Sequence, residues 1–118
     1  MLGMEIRLIV IRTSEPKKLS DFYSMFGLTF EYHKHGNSPY HYSALIGQTV
    51  LEIYPLTKSQ VNADKYLRLG FAIDDFESVV ELLKANQVIF SSEPMQTDYG
   101  FMTVIEDLDG RKIELYKK

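Results

Sequence analysis

Leu19, Phe22, Tyr23 and Phe26 stand at i, i+3, i+4 and i+7, the apolar stripe of an amphipathic helix. Phe76, Val79, Val80 and Leu83 repeat the stripe in the second half of the chain. Each helix has a start signal. Ser14 precedes Pro16, and proline suits a first helical turn because its missing N–H has no helical partner there. Asp74 with Glu77 three positions on resembles a capping box. Gly27 and Asn86 can take the left-handed conformation that ends a helix. Residues 4–12 and 66–73, rich in β-branched and other strand-forming types, predict a strand before each helix. Extended segments follow each helix, at 28–35, 40–46 and 49–55, then at 88–92, 101–106 and 111–117. Gly47-Gln48 and Asp107-Leu108-Asp109-Gly110 supply the tight turns. Both halves therefore read β-α-β-β-β, with the polar stretch 57–65 as a linker. The predicted class is α+β, one domain over 1–118, with module one at 1–56 and module two at 66–118.

The two final hairpins correspond. Val50-Leu51-Glu52-Ile53-Tyr54 and Lys112-Ile113-Glu114-Leu115-Tyr116 each set a Glu between aliphatics, with a Tyr two residues later. Side chains alternate faces along a strand. If Leu51, Ile53, Ile113 and Leu115 pack under the helices, then Glu52, Tyr54, Glu114 and Tyr116 point the other way. On an isolated sheet that face is solvent; two halves side by side would curve it into a cleft.

Composition narrows the function classes. The chain has 118 residues, enough for one sizeable core. It has no cysteine, which removes disulfides, thiolate nucleophiles and Cys-ligated zinc. Its net charge is −3 and no basic cluster precedes the terminal Lys117-Lys118, so nucleic acid is not an expected partner. No apolar run approaches the roughly 20 residues of a membrane span. The opening MLGMEIRLIV lacks the plan of a secretory signal, so a cytoplasmic location is expected. The 8 Tyr and 7 Phe are enough to fill a core and still line a pocket.

The helix and its exit, LSDFYSMFGLTFEY, and the last hairpin, VIEDLDGRKIELYKK, resemble the glyoxalase / bleomycin-resistance / extradiol-dioxygenase superfamily over nearly the whole chain. That resemblance implies two βαβββ modules forming a curved mixed sheet around a cleft, with the two main helices on the outer face. It also implies, for metal-using members, two ligands per module: one on the first strand and the Glu of the last. Those positions fall here on Leu8, Glu52, Arg68 and Glu114. Leucine cannot ligate, and arginine stays protonated and repels a divalent ion. No metal is therefore expected at these positions, and no cofactor. Arg68 is expected instead to pair with Glu114, Glu52 or both. Arg12 matches a family position that holds a substrate carboxylate. Relatives of this length commonly form homodimers whose clefts draw on both subunits.

Other residues compete for attention. His33 and His35 share a strand face, and a hairpin could bring His41 near them, where imidazoles could bind zinc, copper or nickel. The plainer expectation is an exposed polar hairpin. Tyr32, Tyr40, Tyr42, Tyr54, Tyr99, Phe101 and Tyr116 could line a pocket or pack across strands. The expected function is metal-independent binding of a small molecule, resembling the bleomycin-resistance branch, in a cleft of Leu8, Arg12, Tyr42, Glu52, Tyr54, Arg68, Glu114 and Tyr116. The alternatives are a lyase, isomerase or dioxygenase with a shifted metal site, and a binding or regulatory domain without catalysis.

Overall fold

The computed structural model describes residues 3–118. Its elements run β1 (Leu8–Thr13), α1 (Pro16–Ser24), β2 (Glu31–His33), β3 (His41–Ile46), β4 (Thr49–Pro55), β5 (Leu69–Ile73), α2 (Phe76–Ala85), β6 (Phe90–Thr97), β7 (Gly100–Glu106) and β8 (Lys112–Lys117). The fold is α+β, made of two βαβββ modules, each with one helix and one four-stranded mixed sheet. The strand orders are β1-β4-β3-β2 and β5-β8-β7-β6. In each sheet the first strand runs parallel to the last strand of its module, while the other neighbours are antiparallel.

Contacts divide the chain into two compact units, one running up to Ser24 together with Leu28–Ala63, the other comprising Met25–Gly27 and Asp64–Lys118. In the first unit, Leu19, Phe22 and Tyr23 of α1 are buried, as are Ile11, Ala44, Leu51 and Ile53 of the sheet. In the second, Phe76, Val80 and Leu83 of α2 are buried, as are Ile105, Ile113 and Leu115. The apolar stripes thus do what their spacing predicts, except at Phe26. Helix α1 stops at Ser24, and Phe26 instead packs in the second unit, its ring 5.7 Å from that of Phe71.

The helix ends differ from expectation. Helix α1 begins at Pro16, so Ser14 lies too far upstream to cap it; the Thr13 hydroxyl accepts from the Glu15 N–H at 3.3 Å. Asp75, not Asp74, caps α2, in a left-handed conformation (φ 52°) without a side-chain cap bond. Asp74 and Glu77 face the C-terminal lysines instead, Lys118 at 3.3 Å and Lys117 at 3.2 Å. At the far end of α2, Asn86 keeps φ at −100°, and the left-handed residue is Gln87 (φ 58°). The Gln87 N–H donates to Lys84 O and the Val88 N–H to Leu83 O, the paired bonds of a Schellman ending. Gly27 is left-handed as its sequence position suggests (φ 111°).

Strand β6 is longer than its sequence signal, because Pro94 stands within it. It lies at the sheet edge, and its register with β7 slips on both sides of Ser92. An edge and a bulge are where a sheet tolerates a residue without an N–H.

Candidate functional site

In the second unit the open face of the sheet is set by register. Gly70 and Val104 both oppose Glu114, and Met102 opposes Tyr116. Ile113 and Leu115 take the other face and are fully buried. The open face carries a cavity of about 530 Å³ lined by Arg68, Thr97, Tyr99, Met102, Val104, Glu114 and Tyr116. Gly70 lies beneath Glu114 and Tyr116, where a Cβ would make ordinary contact with the Tyr116 ring at 3.5 Å.

Glu114 is engaged on both oxygens. Arg68 Nε donates to Oε2 at 2.7 Å, and the Tyr116 hydroxyl donates to Oε1. The hydroxyl bond, then the guanidinium bond, hold the Glu114 carboxyl below its ordinary pKa, because both favour the charged form. The same hydrogen bond to Glu114 pushes the Tyr116 hydroxyl above its ordinary value. The Arg68 side chain is half exposed, so this is a partly solvated pair at the cavity rim and not a buried one.

In the first unit a row of side chains crosses the sheet. Arg12 opposes Tyr54 across β1 and β4, and His33 opposes His41 across β2 and β3. His41 closes the row by stacking on Tyr54, with ring centroids 4.1 Å apart and planes 10° from parallel. The Arg12 guanidinium lies 4.9 Å from the centre of the Tyr54 ring, and Nη1 donates to Pro55 O at 3.0 Å. Glu52 stands in the adjacent row, opposite Val10 and Ser43, and is nearly buried. Its Oε2 lies 3.2 Å from His41 Nε2 and 3.7 Å from His35 Nε2. His41 is completely buried. The hairpin is therefore not simply exposed: burial and a neighbouring carboxylate distinguish His41 from a solvated loop residue.

Two positions behave differently from their sequence reading. Tyr42 opposes Ile53, so it shares a face with Ala44 and Ile53, opposite to Glu52. Its ring packs at a tilt against Tyr32, at 4.7 Å between centroids, and Tyr32 in turn stacks on Tyr40 at 5.0 Å. Leu8 opens β1, is 54% exposed, and contributes no donor atom.

The family's metal positions do not fit a metal. Leu8 offers no ligand, and Glu114 spends both oxygens on protein donors, one of them a guanidinium. The sequence places Asp107 in a turn but does not reveal its partner, Arg111. Arg111 is buried to 1% exposure, with Nη1 3.1 Å from Asp107 Oδ2 and 3.1 Å from Asp109 Oδ2. The motif DLDGR thus closes on itself and fixes the turn that delivers Glu114 and Tyr116.

Residues 5–115 match the family model described as Glyoxalase/Bleomycin resistance protein/Dioxygenase superfamily. No curated protein matches the chain. Several solved structures share its fold. The antibiotic-binding protein TnmS3 from a Streptomyces species is 21% identical with a TM-score of 0.77, over 99% of this chain and 98% of that one. The oxidase ChaP-H2 is 14% identical with a TM-score of 0.78, over 99% and 95%. A superfamily member from Sphaerobacter thermophilus is 17% identical with a TM-score of 0.77, over the whole of both chains.

Proposed function

The chain belongs to the glyoxalase / bleomycin resistance / dioxygenase superfamily, and from that premise we propose that it binds a planar small molecule on the open face of module two without help from a metal at the family positions. The observation that carries this reading is the engagement of Glu114 by Arg68 and Tyr116 at the rim of the cavity. A guanidinium takes the place of a first-strand ligand, and Leu8 supplies nothing in module one. Met102, Val104 and the Tyr99 and Tyr116 rings give an apolar floor and walls for stacking. Arg68 gives a directional donor for a polar edge of the ligand. The printed name of TnmS3 assigns antibiotic binding to that protein, which is in keeping with a binding role here, while the similarly folded ChaP-H2 is named an oxidase.

The protein works as a homodimer in the cytoplasm. Leu8, Val10 and Leu45 share the face of the first sheet that carries Glu52, and they are 54%, 39% and 69% exposed. A second copy that covers them would remove apolar surface from water. No helix among the described residues is long and apolar enough to cross a membrane.

The test is a thermal-shift panel on protein stripped with EDTA, using 2-naphthoic acid and acridine as planar anionic and cationic probes. Stabilisation by either probe that is lost in Tyr99→Ala supports the reading. Probes that stabilise only after metal is added, or that Tyr99→Ala leaves unaffected, overturn it.

A further inference from the structure

His33, His35, His41 and Glu52 each present one donor atom, and these atoms all lie within 4.8 Å of one another. They come from β2, the segment after it, β3 and β4, so the cluster belongs to the first unit alone. Its local order begins with His41. The ring Nδ1 lies 3.0 Å from Pro39 O, which assigns the proton to Nδ1 and leaves the lone pair on Nε2. That Nε2 is buried and has no hydrogen-bond partner, although Glu52 Oε2 is only 3.2 Å away. His33 Nε2 is likewise buried without a partner. Buried polar atoms are almost always satisfied. Two partnerless imidazole nitrogens thus lie within 4.8 Å of each other and of a carboxylate oxygen, where one cation could satisfy them together.

We propose that His33, His35, His41 and Glu52 form a four-ligand site for a divalent transition-metal ion of the zinc class, which ties the β2–β3 hairpin to β4. Three imidazoles and one carboxylate suit zinc, nickel or copper, and not the harder magnesium or calcium. A tetrahedral ion about 2.0 Å from each ligand sets the donors ~3.3 Å apart. The His41–Glu52 contact, at 3.2 Å, already has that spacing; the His35–Glu52 contact, at 3.7 Å, and the remaining pairs, all within 4.8 Å, would draw in on binding. His35, whose side chain is 65% exposed, is free to swing inward and complete the set. Glu52 is a family ligand position, but the three histidines are not. The site is therefore confined to module one and needs neither Leu8 nor Arg68.

The experiment is calorimetric titration of zinc chloride into protein made without a histidine tag and stripped with EDTA, together with cobalt(II) absorption spectra and melting curves. One zinc per chain, a rise in Tm, and intense visible cobalt bands of four-coordinate geometry are expected. Because His41→Ala opens a buried position and can unfold the chain, the decisive variant is the exposed His35→Ala. It should keep the wild-type circular dichroism and weaken zinc at least about 10–100-fold. Substoichiometric binding, or His35→Ala binding zinc as tightly as wild type, would overturn the proposal.

Discussion

Replacing Asp107 with alanine should strongly destabilise the second unit's last hairpin. The Asp107 side chain is fully buried against Arg111, itself 1% exposed. Its Oδ2 accepts from Arg111 Nη1 at 3.1 Å. Its Oδ1 accepts from the backbone N–H groups of Asp109 at 2.8 Å and Arg111 at 3.0 Å. Alanine removes the charge partner and the acceptor of both backbone N–H groups, while the guanidinium stays charged at any accessible pH. Breaking a buried pair on one side costs about 3–5 kcal/mol. Asp109 remains 3.1 Å from the same nitrogen, which places the expected loss near the lower end, about 3 kcal/mol. Equilibrium urea unfolding followed by circular dichroism measures it. The double variant Asp107→Asn, Arg111→Met removes both charges together and should lose less than Asp107→Ala alone. A loss under about 1 kcal/mol for Asp107→Ala, or a double variant worse than the single one, would refute the argument that the pair is buried and coupled.

Three further outcomes follow from local features. Gln87 holds φ at 58° in the Schellman ending of α2, so Gln87→Gly should stabilise by about 0.5–1 kcal/mol in the same urea assay. Glu114 has its pKa lowered in the folded state, so the stability from its bonds is present above the ordinary carboxylate range and is lost as pH falls through the depressed value. Tyr116 is shifted upward, so its share is present below the ordinary tyrosine value and is lost as pH rises through the elevated one. Carboxyl NMR titration of wild type against Tyr116→Phe should show the Glu114 midpoint move up in the variant. Finally, Leu45→Asp places a charge on the exposed apolar face of the first sheet and should convert a dimer to monomer in sedimentation velocity.

Much of the architecture was legible because the two periodicities are clean. The α1 and α2 stripes and the alternation around Glu52 and Glu114 fixed which faces are buried. The Arg68–Glu114 pair was one of the pairings that the superfamily resemblance implied, with Glu114, Glu52 or both as partner. The histidine cluster was less visible because its carboxylate is distant in sequence. A signal was present, however: the two-residue turn at Gly47-Gln48 sets Ile46 opposite Thr49 and hence Ser43 opposite Glu52. That register carries His41 to the side of Tyr54 and Glu52, and it also turns Tyr42 to the opposite face. Arg111 was read past because a charge after a Gly turn ordinarily faces water. Its burial depends on two aspartates of the same turn wrapping around it, which spacing alone does not reveal. The left-handed caps at Asp75 and Gln87 were hidden because nothing in those side chains demands the conformation.

The most direct test of the binding account is calorimetry of whichever planar probe raises the melting temperature, titrated into wild type and Arg68→Met with and without EDTA. The account predicts that EDTA leaves the wild-type affinity unchanged and that Arg68→Met weakens it at least about 10-fold, a loss of about 1.4 kcal/mol. Affinity that vanishes in EDTA, or that is indifferent to Arg68, would contradict it.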